Sequence, residues 1–576
     1  MKNQEIQKDL LSQLLYESQS YRKFEDIERL VDQGEDLSMI PIQPLYVALQ
    51  STSKEQLAQI LPKLSTEQRQ ALRDIDFWQK DVMDPQAAYY WMEVYSKVPS
   101  DEVILEYVKS EDFLLSLKNQ FDVATFDVED PMYPDDDNYF LTEDNQLIIE
   151  YPEDFQMVKE LKEFIRRLYG EMGVEYAYAF LFKMVVDSYQ IMEEQVYQEK
   201  VERLRDFGFV DYYEALEYDA SFYSENQIRE FIKNKKSLTG GLDALSANQG
   251  LHSSSLTPYQ AGMDHLKDSL DKVQSEKRKQ YLHFNFIRLV NARMTLENAL
   301  KHGSVAMGRV GHETRQCLEL GFEYVKSERQ IESDKSLFDI FDFMDLYKVG
   351  HSLLDLSKKR IKKALSATPF EADEFDYFLG MYWNAFLENS LDEVTKFKFD
   401  GSSKPAEIND LGIYTQWLKA IDTFVDATPF VLTFFSTIQK MKAEGLLNDQ
   451  FYLNYEVDNI DFEAIMISSF INYNAGHYEE SAAGKMGVTV SELKKFYGMH
   501  FNKQGEEYLI KGSNDKSLSE AITGFTKKFG LSQVPYFEVY LHQVMVEQLN
   551  GYEVDGMTEE DFKHIGGPIL LNNVQN

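Results

Sequence analysis

One stretch, residues 336–366, constrains the fold more than any other part of this chain. Its apolar residues recur in steps of three and four, the period of an α-helix; they are Leu337, Ile340, Phe341, Met344, Tyr347, Leu353, Leu354, Leu356, Ile361 and Leu365. Ser336 is predicted to cap the start of this helix, and the Thr368–Pro369 step is predicted to end it. Gly350 indicates a kink or a close contact inside the helix. Because so long an apolar helix needs neighbours that bury it, we expect it to lie centrally.

The two ends of this stretch carry opposite charges. Its acidic residues come early and its basic residues come late, and both placements favour the helix dipole. The basic cluster consists of Lys358, Lys359, Arg360, Lys362 and Lys363. It is a candidate docking site for an acidic partner or for another copy of this acidic protein. The alternative is that these cations compensate the helix dipole and pair with nearby acids.

The charge balance restricts the classes of partner. The chain has 576 residues, with 59 Lys and Arg against 97 Asp and Glu, a formal net charge of −38. Binding to nucleic acid or to an anionic membrane relies on Lys and Arg contacts to phosphate, so this balance argues against both. It fits a soluble protein with solvated acidic faces, or one with a basic partner.

The chain has one cysteine, Cys317, so an intramolecular disulfide and a Cys-rich zinc site are excluded. The N-terminal residues are polar and amphipathic and lack the apolar core of a signal peptide. No apolar run approaches the roughly 18 residues of a membrane span. We therefore expect a cytoplasmic protein without a membrane span.

The hydrophobic pattern predicts a mainly α protein, built of multi-helical arrays or bundles, with a small β-hairpin near residues 138–150. Helix pairs are evident, but they follow no strict repeat period. The expected domains, in chain order, are an N-terminal short-helix array (1–120), an acidic loop and β-hairpin insertion (121–152), a helical continuation of the first domain (153–235), a linker rich in Gly, Ser and Asn (236–258), a central helical domain (259–400) and a C-terminal helical domain (401–576).

Known catalytic and metal-binding motifs are missing from the sequence. The histidines are scattered without ligand spacing, and His312 and Cys317, five residues apart, do not form a zinc motif. The acidic run 135–137 lacks the ligand spacing of an EF-hand, and no G-x-S-x-G is present. We expect no catalytic residue, no metal and no cofactor, and we expect Cys317 to be a core residue.

Gly308 and Arg309 form a candidate anion site. They lie in a segment with two glycines ahead of a predicted helix, and a helix N-terminus can hold an anion. The third glycine of a dinucleotide fingerprint and the lysine of a phosphate-binding loop are both absent. The alternative is a simple turn between helices.

Aromatic residues supply the candidate partner-binding surface. They are Tyr89, Tyr90 and Trp91 in one predicted helix, and Tyr382 and Trp383 in another. Aromatic side chains make good interface anchors. At helical spacing the same residues also suit a core.

Four segments, in this order, carry a resemblance to a known family: residues 72–85, 203–217, 350–365 and 411–422. Together they resemble a bacterial family of large, mostly helical cytoplasmic proteins of unknown function, over about residues 60–480. That resemblance implies a helical fold and no established activity or catalytic residue. Residues 45–115 are also weakly similar to the acidic helical N-terminal domain of magnesium transporters, although this sequence shows no membrane span that transport would require.

These observations favour a non-enzymatic interaction or scaffold protein, binding an unidentified protein partner or itself through aromatic-lined helical grooves with an acidic rim. Nucleic acid is not an expected partner. One alternative is an enzyme or small-ligand-binding protein with a pocket between helices. Another is a regulator that senses divalent cations through its acidic faces.

Overall fold

The computed structural model describes residues 24–236, 264–329, 335–370, 378–399, 402, 404–447, 456–478, 487–505, 507–551, 554–556, 558 and 569–571. The chain divides into two compact units. Unit 1 contains residues 1–220, 229–315 and 325–348. Unit 2 contains residues 221–228, 316–324 and 349–576.

The described residues are mostly helical, which confirms the predicted fold class. The α-helices, numbered α1 to α23 in chain order, are Phe24–Asp32, Ile42–Gln50, Lys54–Ile60, Thr66–Asp76, Pro85–Ser96, Asp101–Val108, Glu111–Gln120, Val158–Met172, Val174–Val186, Tyr189–Asp206, Tyr212–Asp219, Glu225–Asn234, Asp264–Asp271, Glu276–Leu296, Ala299–His302, Ser304–Glu328, Phe343–Leu365, Met381–Leu391, Leu411–Ala443, Phe462–Asn474, Val490–His500, Lys516–Lys528 and Phe537–Leu549. Serine, threonine and aspartate side chains cap many of their N-termini and satisfy backbone N–H groups of the first turn.

The strands are short and antiparallel. Numbered β1 to β9, they are Trp78–Gln79, Val82–Met83, Asp122–Thr125, Tyr139–Leu141, Leu147–Glu150, Lys396–Phe397, Ala406–Glu407, Phe501–Gln504 and Glu507–Ile510. Strands β4 and β5 form the predicted hairpin, in which Phe140 pairs with Ile149. Strand β3 adds a third strand along β5. The other strands form two-stranded hairpins.

In unit 1, helices α11 and α14 pack together although the predicted linker, 236–258, separates them in the chain. Arg293 on α14 forms an ion pair with Asp219 on α11, with 2.7 Å between Nη1 and Oδ1. The Asn291 side chain donates to the Gly208 carbonyl. Tertiary contacts therefore join helices from both sides of the predicted linker, and the expected domain boundaries stay a prediction. Residues 237–263 lie outside the described residues.

In unit 2, Gly350 on α17 packs directly against the backbone of α16. A Cβ atom at position 350 would lie 1.9 Å from the carbonyl oxygen of Cys317 and 2.9 Å from the Gly321 nitrogen. The predicted close contact is therefore present, and it lets two helix backbones approach closely. Cys317 is buried, as expected.

The stretch 336–366 is divided into two pieces. Ser336 does act as a cap, but it caps the short 3-10 turn Leu337–Asp339. Helix α17 starts only at Phe343, where Asp342 and Asp345 each accept a hydrogen bond from the other's backbone N–H. The predicted start was therefore about seven residues too early, because two successive capping motifs interrupt the helical period.

Helix α19, Leu411–Ala443, is the one helix in the described ranges that is long and apolar enough to cross a membrane. Only 39% of its most apolar window is buried. Length and composition alone do not distinguish such a helix from a core helix. Its Trp417 is nevertheless buried, and the indole N–H donates to the Ser390 hydroxyl at 2.9 Å.

Candidate ligand site in unit 1

A cavity of about 240 Å³ lies within unit 1. Its wall combines mainly apolar side chains with a few polar ones, the composition typical of small-molecule sites. The apolar members include Ile75, Trp78, Val201, Leu204, Phe209, Val210, Met294, Leu296 and Leu300, and the polar ones include Asp74, Lys80, Lys200, Asp211, Thr295, Asn298 and Lys301. We call it the Lys200 cavity.

Hydrogen bonds to backbone carbonyls fix the wall. The segment between α10 and α11 turns at Gly208, whose φ of +82° favours glycine. The Thr295 hydroxyl on α14 donates to the Val210 carbonyl at 3.1 Å, which holds this segment in place. Asp211 then caps α11 by accepting from the Tyr213 N–H.

Lys301 fixes the opposite part of the wall. Its ammonium donates to the carbonyls of Asp76 and Trp78, both at 2.8 Å, and so holds the β1–β2 hairpin. Because an ammonium has three hydrogens, one donor remains beyond these two bonds. Burial lowers the pKa of Lys301.

Lys200, on α10, differs from Lys301 in having no hydrogen bond or ion pair to any described residue. Its Nζ lies 4.5 Å from the ring centre of Tyr197 and 5.7 Å from that of Trp78. Burial lowers the pKa of Lys200 to about 8, and the charge of Lys301 acts in the same direction. The charges of Asp211 and Asp74 raise the pKa of Lys200, but neither carboxylate forms an ion pair with it, so the desolvation of the amine beside aromatic rings dominates.

The two acids of the wall, Asp74 and Asp211, accept hydrogen bonds from residues other than Lys200. Arg203 holds Asp74 through two hydrogen bonds of 2.9 Å. The Tyr197 hydroxyl donates to Asp211, which also caps α11. Neither carboxylate forms an ion pair with Lys200.

Trp78 adds an unused donor. The residue is 4% exposed, and its indole N–H has no hydrogen-bond partner in the described part of the chain. A buried donor left without an acceptor costs free energy, about 1–3 kcal/mol. The nitrogen is enclosed by protein atoms, so a ligand in the cavity reaches it only if the wall shifts.

Two residues of the wall have strained backbones. Lys80, in the β1–β2 turn, has a φ of +61°, and Asn298, after α14, has a φ of +49°. Asparagine tolerates this left-handed region, whereas lysine seldom adopts it. Such strain occurs preferentially at functional sites.

Lys200 was not predicted from the sequence, although a signal was present. Val196 and Leu204, four residues before and after it, are buried on the same face of α10. A lysine in line with an apolar helix stripe is unusual enough to be a candidate.

The aromatic residues predicted to bind a partner differ in how deeply they are buried. Trp91 and Trp383 are 2% and 1% exposed and pack in the interiors of unit 1 and unit 2, respectively. Tyr89, Tyr90 and Tyr382 are partly exposed. The Trp91 indole donates to Asp76, so this side chain has a structural role. Partner binding at the tyrosines stays a prediction.

The predicted basic cluster lies on the last turns of α17. Lys358 donates to the Asp392 carbonyl, Lys359 pairs with Asp355, and Arg360 pairs with Asp422. Lys362 and Lys363 are exposed. These contacts fit the alternative reading, in which the cations pair with nearby acids, while docking stays a prediction.

Gly308 and Arg309 lie in the second turn of α16, whose first residue is Ser304. The expected helix start near them is therefore displaced by one turn. Arg309 forms an ion pair with Glu313 at 3.0 Å and another with Glu297 at 3.5 Å, so two carboxylates already surround its guanidinium. Anion binding there stays a prediction.

Within the described residues, no group of three or more His, Cys, Asp or Glu side chains is arranged to hold a metal ion. The acidic run 135–137 is exposed.

The fold and cavity together define a two-unit helical protein with a lysine-containing pocket in its first unit. A family model, described as a family of unknown function (DUF6178), matches residues 8–404. The match covers more than half of the chain, so the protein belongs to this family. Neither a curated protein nor a solved structure matches the chain.

Proposed function

We propose that unit 1 binds a small organic anion in the Lys200 cavity. The observation that carries this proposal is the ammonium of Lys200, which lines the cavity without a hydrogen-bond or ion-pair partner among the described residues. Removing a charge from water is costly unless an opposite charge or a hydrogen bond compensates it. An anionic ligand provides both.

The dimensions and remaining donors of the cavity support a small ligand. Its volume of about 240 Å³ lies below the common range for drug-sized ligands. The third ammonium hydrogen of Lys301 can donate to a ligand oxygen. The apolar wall would enclose a short carbon skeleton.

The test is thermal unfolding with a panel of small carboxylates and phosphate esters. A ligand at 100 times its dissociation constant should stabilise the protein by about 2.7 kcal/mol. We expect stabilisation of the wild type and of Lys159→Met, which removes an exposed lysine on α8, and none for Lys200→Met. Equal stabilisation of Lys200→Met, or no stabilisation of the wild type by any compound, would contradict the proposal.

A second candidate, the interaction role, is favoured by α9 in unit 1. Val174, Tyr178, Phe182 and Val186 recur every four residues, and all four are partly or fully exposed. The Tyr178 and Phe182 rings stack with their centres 5.3 Å apart. Glu175 and Asp187 sit at the two ends of this face.

This arrangement suits a basic amphipathic helix, whose apolar side would meet the aromatic face while its cations meet the acids. The probe is a synthetic Lys/Leu amphipathic peptide, followed by fluorescence anisotropy. The double variant Val174→Lys, Val186→Lys removes apolar contact and repels the peptide's cations, so it should weaken binding at least tenfold, and Val305→Lys, at an exposed valine on α16, should not. Unchanged binding by the double variant would exclude this face.

A further inference from the structure

We propose that Lys200 is a nucleophile that forms an imine with the carbonyl group of a small oxo acid bound in the Lys200 cavity. This inference rests on the proposed function and specifies its ligand class. It adds a covalent step to what would otherwise be reversible anion binding.

Among the lysines of the cavity wall, Lys200 is the one available to react. Lys301 donates two hydrogen bonds to backbone carbonyls and holds the β1–β2 hairpin. Lys80 is exposed, with its Nζ 5.0 Å from the ring centre of Tyr212. Lys200 is less exposed than Lys80, lies beside two aromatic rings and forms no hydrogen bond or ion pair with a described residue.

The protonation state of Lys200 also favours a reaction with a carbonyl group. Only the neutral amine is nucleophilic, and an exposed lysine with a pKa near 10.4 is about 0.4% neutral at pH 8. Burial lowers the pKa of Lys200 to about 8, so about half of it is neutral at that pH. The fraction of reactive amine is therefore on the order of a hundredfold higher.

The reaction needs no oxidant or reductant. The Nζ lone pair attacks the carbonyl carbon, and a proton moves from nitrogen to the former carbonyl oxygen to give a carbinolamine. That oxygen then receives the remaining nitrogen proton and leaves as water, and the C=N bond forms. We assign both proton transfers to Asp211, which lines the cavity and whose charge acts on Lys200.

The remaining hydrogen of Lys301 accounts for the acid part of the ligand. Lys301 donates two of its three ammonium hydrogens to backbone carbonyls, so one is unused. A ligand carboxylate can accept that hydrogen while the carbonyl group of the same ligand meets Lys200. This division of roles favours an oxo acid over a simple aldehyde.

The experiment is reductive trapping on the full-length protein. Pyruvate, 2-oxobutyrate and 2-oxoglutarate are each incubated with the protein and sodium cyanoborohydride, and intact mass and peptide mapping locate the adduct. We expect one adduct at Lys200, formed at least tenfold faster than at any other lysine, with a rate that rises with pH through about 8. Lys200→Arg, which keeps the charge, should abolish it, and Lys159→Arg should not.

The outcomes separate the two proposals. If carboxylates stabilise the wild type but no oxo acid traps on Lys200, the imine proposal is wrong while anion binding stands. If no carboxylate or phosphate ester stabilises the protein and no adduct forms, both are wrong. Labelling of many surface lysines at the rate of Lys200 would also overturn the imine proposal.

Discussion

Gly350 shows how one residue determines the packing of two helices. Its α17 backbone lies so close to α16 that a Cβ atom would overlap the Cys317 carbonyl group, with 1.9 Å to the oxygen and 2.7 Å to the carbon. Both obstructing atoms belong to the backbone, so a side-chain rotation cannot relieve the overlap.

We therefore expect Gly350→Ala to lower the free energy of unfolding by about 1–3 kcal/mol, the usual cost of overpacking. Gly308→Ala on α16 is the matched control, because no atom lies within 4 Å of its added Cβ. That control should be neutral or stabilising by up to about 1 kcal/mol, since alanine favours helix. Urea unfolding measures both variants, and equal values would argue against the close approach.

Substitutions at Lys80 test whether its strained backbone conformation lowers the stability of the protein. At a φ of +61°, glycine avoids the steric cost that lysine experiences. Lys80→Gly should raise the free energy of unfolding by about 0.5–1 kcal/mol, whereas Lys80→Ala should not. Thermal unfolding of the two variants decides this, and a loss of stability in Lys80→Gly would show that the lysine side chain outweighs the strain.

At the scale of elements, Glu463 links α18 to α20 and α23 in unit 2. Its Oε1 accepts from the Tyr382 N–H at 2.7 Å, at the start of α18. Its Oε2 accepts from the Gln548 side chain of α23 at 3.1 Å. Burial, and next the charge of Asp461, raise the pKa of Glu463 to about 8. The folded protein therefore holds a proton here that the unfolded chain releases near pH 4.5.

This shift makes stability fall as pH rises. Between about pH 5 and 8 the folded state binds the proton and the unfolded state does not, so this site should lower the free energy of unfolding by about 1.4 kcal/mol per pH unit. Glu463→Gln should remove that slope and Glu547→Gln, at the surface, should keep it. Urea unfolding at pH 5, 6.5 and 8 checks this, and an unchanged slope in Glu463→Gln would contradict it.

At the scale of the whole molecule, the net charge of −38 makes the dominant long-range electrostatic contribution to stability. An excess of like charge destabilises a compact state, and added salt screens the repulsion. Raising sodium chloride from 0.05 to 0.5 M should therefore increase the melting temperature. A decrease would show that ion pairs such as Arg293–Asp219 outweigh the repulsion.

Helical period, caps and turn residues were enough to predict the mainly α fold and the β4–β5 hairpin, because these depend on neighbours in the chain. The close contact at Gly350 also followed from the sequence, since a glycine inside an apolar helix needs a packing reason. The split at residues 340–342 was missed, because the helical pattern continues through it.

The Lys200 cavity was decided only by the tertiary structure. Trp78, Lys200, Asp211 and Lys301 are separated by up to 223 residues, and no local motif relates them. For the same reason, the sequence did not predict that α14 packs against α11, from which residues 236–258 separate it in the chain. Sequence determines local conformation and which faces need burial, whereas the choice of which faces meet, and hence which charges are desolvated, depends on packing over the whole unit.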